Sequence, residues 1–338
     1  MNKRTTQGII PPDMLLHLAN VTGQSAYLST LLQTQALWAK AQNGSVTYRK
    51  ALKNAQRIVY DAKNTQRLPG TKVRGENDAK TGDVIVDNAF DFHGMMRDFL
   101  KVVFGRDSID GLGMDLIGTV HYGQGYNNAF WNSRQMTYGD GDGVIFATFV
   151  LLDVIGHEMF HGVTEHTCGL EYYGQSGALN ESLSDVFGVG LRQWVFKLTV
   201  DKDNWLIGPG IFAKGIKGRA LRDMANPGTA YNDPKIGKDR QPAHMKDFVN
   251  TSSDNGGVHT NSGITNKAFY EFAIAVGGNS WDKALPVWFL TATTKDRISS
   301  TCDFQTFANA TLVTCREKFP ELVDKLVAAW DKVGIKAV

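Results

Sequence analysis

The chain has 338 residues, 42% of them hydrophobic and 21% charged, with a formal net charge of +2. That length holds roughly two domains of ordinary size, and the composition is that of a globular protein rather than a disordered one. Acids and bases are interspersed, so no broad basic face argues for nucleic acid, and no apolar run approaches the ~18 residues needed to cross a bilayer.

In chain order, "MNKRTTQGIIPPDMLLHLANV" places basic residues ahead of an apolar stretch, as an export signal does. Pro11, Pro12, Asp13 and His17 interrupt that stretch, so it reads instead as a proline-started helix, and no conventional export signal is expected. From about residue 51 to 146 the texture changes to short runs of aromatic and β-branched residues between Gly, Asn and Asp turns, which reads as β-rich. Within it "YNNAFW" has the character of an edge strand. Beyond residue 150 helical spacing dominates, over 152–167, 177–197, 260–276, 281–293, 303–317 and 320–333. "GGVHTNSG" and "GPGIFAKGIKG" read as loops from their glycine content. Cys168, Cys302 and Cys315 make no disulfide framework; a Cys302–Cys315 pair is the alternative to free buried thiols.

The densest chemistry lies in "DVIGHEMFHGVTEH", residues 153–166. His157 and His161 stand four apart, so on a helix both imidazoles face one side and can reach a single zinc ion. Glu158 lies one step round, placed to contact a water beside the metal rather than the metal itself. "LLDVI" ahead of the motif predicts a buried helix, where two histidines and a glutamate need partners. A catalytic zinc site usually takes three protein ligands and keeps one position open. A third histidine in the H-E-x-x-H-x-x-G-x-x-H pattern is excluded, because the required glycine and histidine are Thr164 and Thr167. "SGALNESLSDVFG" supplies a carboxylate instead: Glu181 as third ligand, with Asp185 one turn on to accept the other N–H of His157.

His157-Glu158-x-x-His161 followed by Asn180-Glu181-x-x-x-Asp185 resembles the thermolysin family of zinc endopeptidases. The resemblance covers most of residues 55 to 338 and extends to "NNAFWN", "YGDGDG", "ALRDM" and "DNGGVHTNSGI", in the same order. The short segment with "IIPP" resembles the small propeptide of the protealysin branch. The resemblance implies an α+β, two-domain architecture, with a β-rich N-terminal domain, an α-helical C-terminal domain and the zinc cleft between them. The expected divisions are a propeptide over 1–50, a β-rich part over 51–165 ending in the zinc-binding helix, and an α-helical part over 166–338.

It also implies roles. Glu158 is the general base; His259 and Tyr172 donate hydrogen bonds to the developing oxyanion, and Asp254 orients His259. Asn128, Ala129, Asn180 and Arg222 contact substrate, and Phe146, Phe149, Val154 and Leu221 line a pocket for a bulky apolar residue after the cut bond. Phe149 is larger than the family's usual aliphatic side chain. The cofactor is one zinc. Calcium is not expected at the family's usual sites, because the matching positions read Arg192, Asn204, Leu206, Pro209 and Arg219; Asp153 alone cannot hold it, and Arg192 is placed to pair with Asp153 instead. The expected product is a monomeric endopeptidase acting on proteins or peptides, held latent by its own propeptide until a cut near residues 45 to 55. It would be secreted without a conventional signal, or cytoplasmic before export. Two alternatives fit the residues less well. An aminopeptidase would need a G-x-M-E-N-type stretch to capture a free amine, which this sequence lacks, and an inactive zinc-containing binding protein would have no use for Glu158.

Overall fold

"PPDMLLHLANVT" begins with the proline that pre-sets a first helical turn, and in a computed structural model, which describes residues 7–42 and 55–338, it forms helix α1 (Pro12–Thr22). Strand β1 (Gln7–Gly8) precedes it and helix α2 (Ser25–Gln42) follows. The expected propeptide boundary at residue 50, and almost all of the expected cut region at 45 to 55, lie outside the described residues.

Alternating β-branched and aromatic residues build β2 (Arg57–Asp61), β3 (Thr71–Gly75), then, after an intervening helix α3 (Val84–Phe104), β4 (Leu116–Val120), β5 (Ala129–Trp131) and β6 (Met136–Tyr138). With β1 they make one six-stranded sheet in the order β1-β5-β6-β4-β2-β3. β4 runs parallel to β2 and β6, and the remaining pairs are antiparallel. β1 covers what would otherwise be a bare edge of β5, Gln7 opposite Trp131 and Gly8 opposite Phe130.

Helix α3 corrects the β-rich reading of this region. Val84-Ile85-Val86 has the composition of a strand, but Asp83 accepts hydrogen bonds from the Ile85 and Val86 amides and caps a helix. Val86, Ala89, Phe90, His93, Met96, Phe99 and Leu100 then recur at helical spacing and are buried, so tertiary burial overrides local strand propensity.

The later helices follow the predicted spans closely: α4 (Leu152–Glu165), α5 (Gly174–Phe196), α6 (Asp254–Val276), α7 (Ala284–Thr293), α8 (Phe304–Lys318) and α9 (Val323–Asp331). Short 3-10 turns at Ser280–Asp282 and Pro320–Leu322 take the start of two of them. α6 revises the loop reading of "GGVHTNSG". Asn255, Gly256 and Gly257 adopt left-handed φ of 50°, 82° and 77°, and the regular helix resumes at Val258, so His259 stands in a helix's first turn. All three cysteines are free, Cys302 and Cys315 included.

α4 is buried without interruption from Leu152 to Thr164, and α5 packs directly on it. Two features bring their backbones close. Phe160 stacks on Phe187 with ring centroids 3.8 Å apart and planes within 5°. Gly156 faces Gly188, and a Cβ on Gly188 would sit 2.5 Å from the Asp153 carbonyl oxygen. Gly188→Ala should therefore force α5 away from α4, lowering stability by about 1–3 kcal/mol in chemical denaturation. An unchanged denaturation midpoint would show that the two glycines do not set the spacing.

Candidate metal centre and substrate cleft

α4 supplies His157 and His161 from the face it turns to α5, and α5 supplies Glu181 and Asp185 from the face it returns. All four side chains are fully buried. The imidazoles stand nearly perpendicular, at 88°, with their Nε2 atoms 3.0 Å apart. Glu181 closes the triangle, its carboxylate oxygens 3.4 Å from His157 Nε2 and 3.3 Å from His161 Nε2.

The opposite ring nitrogens decide the tautomers. His157 Nδ1 lies 2.8 Å from the Asp185 carboxylate, which can only accept, so Nδ1 carries the hydrogen. His161 Nδ1 lies 2.8 Å from Asn180 Oδ1, whose amide is oriented by Nδ2 donating to the Leu170 carbonyl, and 2.9 Å from Ser184 Oγ. With both rings neutral, the two Nε2 lone pairs therefore point at each other and at a carboxylate, an arrangement satisfied by a metal ion or by a proton between them. Burial opposes a charge on His157, yet Glu181 and Asp185 lift it to about 9, while burial pushes the facing His161 down. Burial works to raise the Glu181 carboxyl too, but His259, His161 and His157 outweigh it and hold it well below the usual range. The separations match the ~3.3 Å edge of a tetrahedron around an ion with ~2.0–2.1 Å bonds. Two imidazoles and a carboxylate are also the donor set of catalytic zinc, so residues and group fit. Among the described residues these three form the one such cluster.

Glu158 is fully buried and neither of its carboxylate oxygens has a hydrogen-bond partner. Burial lifts its carboxyl to about 8. Tyr172 donates its hydroxyl to Glu181 Oε1 and lies 3.3 Å from His259 Nε2. Asp254 holds His259 twice, accepting from its backbone amide at 2.9 Å and pairing with Nδ1 at 2.7 Å. Burial disfavours charge on His259, but Asp254 and then Glu181 lift it to about 9, so its Nε2 donates, here to the Gly8 carbonyl at 2.8 Å.

That contact is part of a continuous strand-like docking. Ala129 O accepts from the Ile9 amide at 3.2 Å, Asn128 Oδ1 from the Ile10 amide at 3.0 Å, and Arg222 Nη1 donates to the Ile9 carbonyl at 3.2 Å. Asn128, Ala129 and Arg222, expected to hold an extended substrate, are thus found gripping the chain's own N-terminal segment. Asn180, expected at substrate, has both ends of its amide engaged behind His161. Leu221 and Arg222 border a cavity of about 60 Å³ that Pro11 and Met14 also line. Phe146, Phe149 and Val154 are fully buried, with Phe146 ring centroids 5.5 Å from Phe149 and 5.8 Å from Phe212.

Beyond the expected pairings of Asp185 with His157 and of Arg192 with Asp153, several contacts escaped the sequence reading. Asp185 binds Arg222 through two bonds of 2.7 Å as well as His157, and accepts from Asn266 Nδ2 at 2.8 Å. Ser184, one helical turn beyond Asn180, signals only by that spacing. Arg192 reaches Asp153 at 2.7 Å and also Asp203 at 2.9 Å, Asn204 Oδ1 at 3.1 Å and the Leu206 carbonyl at 2.5 Å.

Two family models match the chain: "Thermolysin metallopeptidase, catalytic domain" over residues 25–165 and "Thermolysin metallopeptidase, alpha-helical domain" over 168–335. An extracellular metalloprotease of Pectobacterium carotovorum subsp. carotovorum is 45% identical, the alignment covering 99% of this chain and 98% of that protein. Protease PrtS of a Photorhabdus strain (Az29) is 46% identical, over 98% of this chain and 92% of that protein. Among solved structures, the precursor of protealysin, a metalloproteinase from Serratia proteamaculans, superposes with a TM-score of 0.86 at 46% identity, covering 97% of this chain and 99% of that one. The chain belongs to the thermolysin family of metallopeptidases and is protealysin-like along nearly its whole length.

Proposed function

We propose that the chain is a zinc-dependent endopeptidase made as a latent precursor, cutting proteins or peptides on the N-terminal side of bulky apolar residues. The observation that carries this reading is the convergence of His157, His161 and Glu181 beside Glu158, a buried carboxylate with no partner. Zinc held by those three residues supplies a Lewis acid and lowers the pKa of a water to about 7.

The remaining work belongs to the chain. Glu158, with a carboxyl lifted by burial to about 8, is matched to take the proton of the attacking water near neutral pH and pass it to the leaving nitrogen. Charge that develops on the substrate carbonyl oxygen is met by His259 Nε2–H and the Tyr172 hydroxyl, each such donor being worth about 3 kcal/mol. Asp254 keeps the His259 ring turned toward that oxygen. The β5 edge, with Asn128 and Ala129, binds an extended peptide by main-chain bonds, and Arg222 grips the carbonyl beyond the scissile bond. Phe146, Phe149, Val154 and Leu221 make the adjoining wall apolar, which favours a large hydrophobic side chain there.

Latency follows from the segment that fills the cleft. Besides β1, Tyr27 donates to Asp142 Oδ2 at 2.6 Å and Thr34 Oγ1 lies 2.8 Å from the Tyr126 hydroxyl, so residues 7–36 are docked along the entrance. Relatives named as extracellular or as a protealysin precursor support an exported zymogen. Among the described residues no helix is long and apolar enough to cross a membrane. An inactive binding protein has no use for a desolvated base beside the metal, and the retained Glu158 argues against it. Arg192, seated between Asp153 and Asp203, supports a chain without calcium at the family's usual position, since a tethered cation already neutralises those carboxylates.

Casein hydrolysis by the processed chain should disappear on zinc removal and return on zinc addition, and Glu158→Gln should lower kcat by ~10²–10⁴-fold. Digest mapping should find cuts before Leu, Phe and similar residues; dominant cuts before Lys or Asp would defeat the pocket assignment. Asp185→Asn should weaken zinc binding by ~10–100-fold in a competitive metal titration, because the His157 ring loses its charged anchor. Wild-type affinity in that variant would assign Asp185 to Arg222 alone. A calcium-selective chelator that leaves zinc in place should not move the thermal midpoint, whereas Arg192→Met should cost about 3–5 kcal/mol by stranding buried carboxylates. A midpoint that drops with the chelator would restore a structural calcium.

A further inference from the structure

The N-terminal segment enters the cleft in a definite register and direction. Four consecutive backbone groups meet four different elements of the site. The Gly8 carbonyl takes the His259 Nε2–H at 2.8 Å, and the Ile9 amide donates to Ala129 O at 3.2 Å. The Ile9 carbonyl accepts from Arg222, and the Ile10 amide donates to Asn128 Oδ1. Both faces of the Gly8–Ile9 peptide unit are therefore held, its oxygen by the imidazole that aims at the scissile carbonyl, its nitrogen by the strand edge. Gly8 permits this approach, since a Cβ there would lie 2.9 Å from Asn128 Nδ2 and 3.0 Å from Ala129 O. The residue beyond the bond, Ile9, is apolar and fully buried. The Glu158 carboxylate lies within electrostatic reach of His259, the residue that holds the Gly8 carbonyl.

We infer that the Gly8–Ile9 bond is itself a substrate of the site: the precursor is docked in the productive register and cuts its own N-terminal strand in cis. This rests on the endopeptidase reading above and adds a specific bond to it. The step is a hydrolysis. Water's oxygen bonds to the Gly8 carbonyl carbon, the C–N bond to Ile9 breaks, and the proton taken by Glu158 passes to the Ile9 nitrogen. The products are a peptide ending in the Gly8 carboxylate and a chain beginning at the Ile9 amine. The nick does not free the rest of the segment. Asp13 still pairs with Ser253, Tyr27 with Asp142 and Thr34 with Tyr126, all C-terminal to the cut. Nicking and activation are separate events in this scheme, and the nick comes first.

The test uses the full chain prepared without zinc and started by adding zinc, followed by intact mass and N-terminal sequencing. Loss of residues 1–8 as the first event, at a first-order rate unchanged on dilution, is the expected result. Glu158→Gln should slow it ~10²–10⁴-fold. Ile9→Pro, which removes the N–H that Ala129 accepts, should preserve the bond, while Ile9→Leu should keep it labile. A readout independent of turnover is hydrogen exchange in zinc-loaded Glu158→Gln, where the Ile9 and Ile10 amides should be protected together with β5. Rapid exchange at both would overturn the register. A chain that hydrolyses casein while Gly8–Ile9 stays intact, or that first cuts itself elsewhere, would overturn the proposal and leave the endopeptidase reading standing. A nicking rate that rises with concentration would overturn cutting in cis. Stoichiometric zinc with neither casein nor the chain's own bond cut would instead bring down the endopeptidase reading.

Discussion

The close approach of α4 and α5 is the constraint on which the rest depends. Two glycines and a stacked phenylalanine pair set the distance between the helices, and that distance places a carboxylate within 3.4 Å of two facing imidazole nitrogens. In the dry interior such groups are tolerable only when each is satisfied. Asp185 holds the outer nitrogen of His157, Asn180 and Ser184 that of His161, and Tyr172 donates to Glu181, which leaves the two inner nitrogens and the Glu181 carboxylate at a common centre. Glu158 has no side-chain partner, and the charges of His157 and His259 and the Trp131 backbone offset its burial only in part. Keeping that carboxylate in the core carries a cost of burial, and the burial raises its basicity.

The metal side and the substrate side of the cleft are mechanically joined. Asp185 holds the His157 ring with one oxygen and shares both with the Arg222 guanidinium, while Arg222 reaches to the Ile9 carbonyl. One carboxylate thus orients the His157 ring and the Arg222 guanidinium together. The β5 edge is likewise shared: the groups that would bind an incoming peptide now bind β1, so the latent and working states use the same main-chain donors and acceptors. Arg192 shows a third economy of this kind, with a side-chain cation covalently fixed among carboxylates of α4 and the loop after α5. Its charge is always present, independent of any ion in solution.

Much of the site was legible because its chemistry is local. Four-residue spacing puts His157 and His161 on one face, and the acidic residues of "NESLSD" recur one turn apart, so helix geometry alone relates them within each segment. The same periodicity located α4, α5 and α8 to within a few residues. It failed at α3, where Val84-Ile85-Val86 looks like a strand until Asp83 caps it and the core receives its far side. It failed again at His259, whose loop-like glycines end a left-handed run, Asp254 to Gly257, from which a helix resumes. Asn180 and Ser184 were beyond reach for a different reason: their roles come from facing His161 across a helix pair.

By itself the sequence determined two histidines on one helix face with a glutamate beside them, an acidic pair one turn apart on a second helix, and an arginine among acidic residues. These are properties of residue type and spacing within a single element. Only the tertiary structure decided that Glu181 meets the two imidazoles, that Asp185 ties one of them to Arg222, and that Gly8 and Ile9 lie along β5 in register with the site. Those contacts join residues up to 251 positions apart. Their distances are set by packing between elements, which no local period encodes.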